Sequence, residues 1–343
     1  AGTYSVVITD LGAPGGAPGI RRYRVISTGT VETVSQVLTN YVQTDNYARY
    51  IWFTDRETYR GSNVWFWNQD NLNGPTHTNG HFNIAGTPTF TGEAQSVDDY
   101  IRYFNNGNNI NSSQLSNPPY DIPNFQGGMT FGADQFNMPS QALNLRAASS
   151  GGGLRLQGNT TVVLNSDGTM NVTNSGMGWT NRNMSLPANG ALFVNSGTLA
   201  ISGTLKGRLT AGASRDIIVP GRLVYATDPR TNPSSTDTLG LISEEDIVIS
   251  RSAPYDMEIN GSIMTLNTSF MFDSWWVGPP RGTLTIFGGI IQDERGPVGT
   301  FSGLNGQKLS GYSKSYTYDP RLLNNPPPFF PTTGDYITLS WED

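Results

Sequence analysis

Leu199-Ala-Ile201-Ser-Gly203-Thr-Leu205, Ile217-Ile-Val219-Pro-Gly221-Arg-Leu223, Met257-Glu-Ile259-Asn-Gly261-Ser-Ile263 and Leu284-Thr-Ile286-Phe-Gly288-Gly-Ile290 are four copies of one phrase in the stretch from Gly190 to Gly299. Each copy alternates apolar residues at period two, then bends at a glycine. That is the pattern of two short strands joined at a corner. The four glycines fall 18, 40 and 27 residues apart. A coil of a β-solenoid takes about 20 residues, so the gaps read as one coil, two coils, and one coil with an insertion. One strand pair cannot bury its apolar side, whereas stacked coils can, at about 1.5–3 kcal/mol for each Leu or Ile enclosed. The fold expected is mainly β, a right-handed β-solenoid with Leu199, Ile201, Leu205, Ile217, Val219, Leu223, Ile259, Ile263, Leu284 and Ile286 inside. A β-sandwich of Gly-rich hairpins is the competing fold. It is disfavoured because Asn-Gly and Asp-Gly turns at regular spacing are mostly missing. Phe82-Asn-Ile84-Ala-Gly86 and Leu154-Arg-Leu156-Gln-Gly158 repeat the start of the phrase, which extends the solenoid back to about residue 75.

Composition narrows the class. The chain has 343 residues, of which 36% are hydrophobic and only 14% charged, with 40 Gly and a net charge of −6. Low charge with abundant Gly, Asn, Ser and Thr suits a turn-rich extracellular β protein. The acidic balance argues against binding nucleic acid over the whole surface but allows a local basic patch. Lys occurs only at Lys206, Lys308 and Lys314, so positive charge is mostly Arg. Without cysteine there is no disulfide, no thiol catalysis and no Cys-type zinc site. No apolar run reaches the ~18 residues of a membrane span.

At the N-terminus, Tyr4–Thr9 and Arg22–Ser27 read as an antiparallel hairpin around the Gly12–Gly19 connector. Arg21, Arg22 and Arg24 read as a solvated strand face. Val34, Val37, Leu38, Tyr41 and Val42 stand at helical spacing and predict a short amphipathic helix over 32–42. Aromatics interleaved with Arg at 49–56 and 64–67 either stack on bases or sugar rings or cover the open end of a core, and the second is the commoner use. His77 and His81 are four apart, but Gly74, Pro75 and Gly80 argue against the helix that a shared metal would need, so no metal site is expected. Ser96 before Asp98 and Asp99, with Tyr100, Ile101 and Phe104 behind, predicts a second short helix. Residues 105–153 read as a loop-rich insertion anchored by Phe125, Phe131 and Leu145. Tyr336–Trp341 is a final strand whose expected partner is one of the two N-terminal strands. The domain division that follows is a sheet region of 1–70 with 332–343, and a solenoid of 71–331.

Several phrases together resemble one family. They are Arg49-Tyr-Ile-Trp-Phe-Thr-Asp55, Gly74-Pro-Thr-His-Thr-Asn-Gly80, Gly240-Leu-Ile242, Arg281-Gly-Thr-Leu-Thr-Ile-Phe-Gly288 with Arg295-Gly-Pro297, and Tyr318-Asp-Pro-Arg-Leu322 with Pro327-Pro-Phe-Phe-Pro331. From about residue 40 onward the chain is similar to the DUF4900 type of bacterial surface protein, which accompanies type IV pilus genes. The resemblance implies a large minor pilin of natural transformation: a pilin-like antiparallel sheet with a solenoid inserted, carried on an extracellular pilus after anchoring in the inner membrane. It implies other pilins and extracellular DNA, bound without regard to sequence, as partners, and no cofactor. Such pilins begin with a long apolar helix that would supply the only membrane contact. This chain opens directly in strand-like sequence at Ala1, as if that segment had been removed.

Three functions compete. The first is a non-enzymatic minor pilin that contacts DNA. Its candidate contacts are Lys206, Arg208, Arg215 and Arg222, expected close together on the solenoid exterior, with pairing to Asp216 and Asp228 as the alternative use of these cations. The second is a carbohydrate-active enzyme, which needs carboxylates converging in one groove. Here they are scattered, and Glu244-Glu-Asp246 alternates faces. The third is a polysaccharide-binding adhesin using Trp65, Trp67, Trp275 and Trp276.

Overall fold

The structure is a computed structural model describing residues 2–14, 19–112, 120–302 and 307–342; part of the Gly12–Gly19 connector and of the 105–153 insertion lies outside the described residues. Successive passages of the chain lie parallel and in register, so that equivalent side chains form rows. One row runs Leu154, Leu192, Ala211, Leu241, Ile263, Ile290. A second runs Thr160, Leu199, Ile217, Ile247, Phe270. A third runs Gly203, Leu223, Ile259, Ile286, Tyr316. The ten residues expected inside are all buried, at 1% exposure or less. Parallel ladders covered on both sides tolerate such continuous apolar rows.

Three of the four glycines, Gly203, Gly261 and Gly288, take positive φ within continuous strands. Gly261 lies beside Gly288 in the ladder. Gly288 has φ +146°, and a Cβ there would fall 2.0 Å from the Gly261 carbonyl oxygen. The 40-residue gap is not two coils. Leu223 pairs directly with Ile259, so a single coil carries the extra length in the loops at 226–237 and 250–256.

The stacking order departs from chain order. The first row continues from Ile290 to Trp52, Thr76, Ala94 and Met129. The third continues from Tyr316 to Leu72, Phe90 and Phe125. The chain therefore enters the stack at Trp52, climbs to one end at Met129–Phe131, crosses back, restarts at the other end at Leu154, and returns to dock residues 290–294 on Trp52–Arg56. Trp52–Arg56, expected with the small sheet, belongs to the stack, which starts well before residue 75. Asn124–Phe125 and Met129–Phe131 likewise belong to it, not to an insertion.

The crossing segment has its own apolar job. Phe193, Ile242, Met264, Ile291 and Phe53 alternate with the first row and point out of the coil. They pack under Ala142 and Leu145 of the 132–153 segment and under Leu322 and Phe330 near the C-terminus. The one α-helix among the described residues, Leu143–Ser150, lies on this face.

Both chain ends meet in a separate antiparallel sheet of four strands among the described residues: Gly2–Gly12, Arg22–Val31, Val34–Asn46 and Thr332–Glu342. Trp341 pairs with Asn40, so the final strand's partner is Val34–Asn46 and not the N-terminal hairpin. The helix expected over 32–42 is that strand. A two-residue turn at Glu32-Thr33, with Glu32 at φ +57°, sets Val31 opposite Val34. Pairing on both edges then overrides a spacing that fits either period. In this register Tyr4, Val6, Ile8, Val25, Val34, Leu38 and Trp341 share one face, on which Tyr4 is 85% and Trp341 60% exposed.

The second expected helix is also absent. Ala94–Ser96 and Arg102–Tyr103 are strands, with Ile101 and Tyr103 buried at period two. Ser96 Oγ donates to the carbonyls of Gly80 and Asp98 instead of capping a helix. Among the described residues no helix is long and apolar enough to cross a membrane.

Candidate functional site

The four cations named from sequence occupy different places. Lys206 is exposed in the turn before Arg208–Ala213. Arg208 is half-buried beneath the C-terminal segment, donating to Asn325 Oδ1 and to the Pro326 carbonyl at 2.9 Å. Burial lowers its pKa. Arg215 is exposed in the next turn, before Ile217–Val219. Arg222 is exposed in the turn after that, donating to the Asp256 carbonyl at 3.2 and 3.3 Å. Only Lys206 and Arg208 are brought together; Arg215 and Arg222 stand at other corners of the coil. Among the described residues none is ion-paired with Asp216 or Asp228; Asp228 pairs with Arg230 at 2.8 Å.

The histidines have separate partners. His77 lies on the outward row, stacked on Phe53 with ring centroids 5.0 Å apart, with Nε2 3.1 Å from Asn79 Oδ1. It is fully buried, which lowers its pKa. His81 Nδ1 is 2.8 Å from Asp98 Oδ2, and its ring stacks on Tyr100. Spacing of four places the two rings on different sides of a turn.

The arrangement that sequence reasoning missed lies at the seam where residues 290–294 meet Trp52–Arg56. Arg295 is 1% exposed. It donates to Glu57 Oε2 at 2.9 Å and to the carbonyls of Val64 and Trp65 at 3.3 and 3.0 Å. Its guanidinium also sits 3.6 Å from the Phe66 ring centroid. Glu57 Oε1 accepts from Trp52 Nε1 and Thr54 Oγ1. Asp70 accepts from Lys314 at 2.7 Å and lies 3.7 Å from Arg295. Burial pushes the Lys314 pKa down, against the pull of Asp70. Two carboxylates and two cations thus form a neutral, buried cluster that stitches the two parts of the stack together.

Above this cluster opens a cavity of about 350 Å³, walled by Tyr59, Trp65, Trp67, Phe104 and Trp275, with Arg295 and Lys314 among its lining residues. Trp65 and Trp67 set their rings edge-on to Phe104 at 5.3 and 6.2 Å, and Tyr59 meets Trp275 at 6.0 Å. The indole N–H groups of Trp67 and Trp275 have no hydrogen-bond partner. Alternation explains the split in 64–67: Phe66 points into the core, where it meets Trp52, while Trp65 and Trp67 point out to the cavity. That alternation was the signal available in the sequence. Trp276 touches Trp275 but does not line this cavity.

Residues 16–98 match a family model, DUF4900, a domain of unknown function. The match covers two of the four sheet strands, Arg22–Val31 and Val34–Asn46, and the chain from Trp52 to residue 98, including Glu57, Trp65, Trp67 and Asp70. No curated protein matches the chain. Among solved structures, the competence-associated pilin ComZ from Thermus thermophilus aligns over 99% of this chain and 83% of its own, at 11% identity and a TM-score of 0.42.

Proposed function

We propose that this chain is a non-enzymatic minor pilin, displayed at the cell surface on a type IV pilus, that supports DNA uptake in natural transformation. On this reading the stacked ladders wind as a right-handed β-solenoid carried outward, and the small sheet is the attachment. The observation behind it is the apolar face of that sheet. Tyr4, Val6, Ile8, Val34 and Trp341 stand exposed on one face, interrupted by Ser27, Gln36 and Asn40, of a sheet that the rest of the described chain leaves open, and soluble monomers rarely expose so many large apolar side chains together unless something docks there. The occupant proposed is an apolar helix of the pilin assembly. Support for a non-enzymatic role is the use of the buried carboxylates: Asp45, Glu57, Asp70, Glu244 and Asp319 are each paired with a cation within the fold, and Asp121 and Asp237 accept backbone N–H groups.

The test is a Val6→Glu, Ile8→Glu variant in a transformable host lacking the native copy. Both positions are half exposed or more, so the charges leave folding intact. Expected are loss of the protein from sheared pili and a fall in transformation frequency. Normal incorporation and normal transformation by the variant would overturn the reading. On this reading the chain also touches DNA directly. The cations do so as dispersed single contacts and not as one patch.

A further inference from the structure

We propose that the aromatic cavity at the seam binds a neutral pyranose unit of a glycan. This inference is independent of the pilin reading. The cavity's size, at the lower end of the ~300–1,000 Å³ typical of small-ligand sites, admits a short saccharide and excludes a folded partner. Its walls are the rings of Trp65, Trp67, Phe104, Tyr59 and Trp275. Such walls suit a ligand with flat apolar faces, and the C–H face of a pyranose is one.

Charge then selects among ligands with such faces. A nucleotide brings phosphate and needs surplus positive charge. The two cations here are already matched by Glu57 and Asp70, and Arg295 also donates to two carbonyls. A wholly apolar ligand is disfavoured for the opposite reason. It would offer nothing to Ser62, Asn63 and Thr300, the polar residues that share the lining with the aromatics. A sugar offers hydroxyls to those polar residues and a ring face to the aromatics, which is the combination the lining can satisfy. The walls come from two distant parts of the chain, Tyr59 to Phe104 and Trp275 to Phe301, held together by the ionic cluster beneath. The site exists only once the seam is closed.

The experiment is calorimetric titration of the whole chain with maltotriose, cellotriose and chitotriose, alongside a thymidine oligonucleotide and an apolar tripeptide. Expected is saturable binding of at least one saccharide, insensitive to salt. Trp67→Ala should weaken it about tenfold or more, Trp67→Phe by a smaller factor because a smaller aromatic face remains, and Trp276→Ala should leave it unchanged. Melting curves of each variant separate lost binding from lost folding, and Trp67→Phe, which keeps an aromatic ring at the position, guards against a Trp67→Ala chain that fails to fold. No saccharide binding up to about 10 mM overturns the proposal, because such an affinity is below that of a useful site. So does saccharide binding that survives both Trp67 variants. Binding of the oligonucleotide or the tripeptide in place of sugar overturns it in favour of a nucleic-acid or apolar-peptide site.

Discussion

Replacing Arg295 by Met tests the seam directly. The substitution keeps an unbranched apolar stem but removes the charge from a residue that is 1% exposed. Three donations vanish, to Glu57, Val64 and Trp65, together with the contact to the Phe66 ring at 3.6 Å. Glu57 Oε2 then loses its ionic partner, and Asp70 keeps Lys314 and the Trp67 backbone N–H. Breaking a buried pair from one side costs about 3–5 kcal/mol, most of it the penalty of the orphaned charge. With an unfolding entropy of about 2.1 cal/mol/K per residue, the 343-residue chain should lose roughly 4–7 °C in Tm. Calorimetry and urea titration measure this. The double variant Arg295→Met, Glu57→Gln removes the orphaned charge along with its partner, so it should be less destabilised than the sum of the two single variants. A single variant within about 1 kcal/mol of the parent, or a double variant at or beyond the sum, would refute the assignment of a desolvated ionic clasp.

Gly288→Ala should cost about 3 kcal/mol or more, read as a lower Tm and poor soluble yield, because its Cβ would meet the Gly261 carbonyl oxygen at 2.0 Å from a φ of +146°. His77 gives the chain an acid-sensitive increment. Its folded pKa is lowered by burial, so the unfolded chain binds the proton first; stability is full above the unfolded value of about 6.5 and falls as pH drops through it toward the folded value. Urea midpoints between about pH 7 and pH 5 should show that fall in the parent and a flatter profile in His77→Gln. Changing Lys206, Arg208, Arg215 and Arg222 together to Ala should flatten the salt dependence of DNA binding by less than the slope of about 3 that convergence on about three or four phosphates would give. An unchanged slope and affinity would remove these residues from DNA contact altogether.

The repeated phrase made the core legible because an inward residue in a stacked coil obeys a local rule, apolar at every second position and glycine at the corner. All ten enclosed residues followed it. The order of stacking obeys no local rule. Nothing in the period of the sequence says that Trp52 sits beside Ile290, since that contact depends on complementarity across the whole chain. Val34–Asn46 failed as a helix because Val34, Leu38 and Val42 satisfy both periods, and only neighbouring strands decide between them. Trp65, Trp67 and Trp275 stand out in the sequence as a group of indoles, but only the seam brings Trp275 to Trp65 and Trp67, so the cavity is as non-local as the seam itself. The cations failed to gather because a residue's distance from a glycine does not tell which corner of a coil it occupies.

The entry point in mid-stack sets a timetable for making the molecule. Residues 52–131 leave a ribosome or a translocation channel before their lower neighbours exist. Until residues 290–318 arrive, Trp52–Arg56 and Asn71–Asn73 present unpaired strand edges, which invite pairing with other chains. The clasp that closes the gap joins Arg295 to Glu57 across 238 residues. So long a loop must be closed before its contacts repay the lost freedom, which makes the joining step slow. Guarding that open edge, by a chaperone or by rapid export of the remaining chain, becomes a requirement of producing the protein, and the saccharide cavity is absent until it is met.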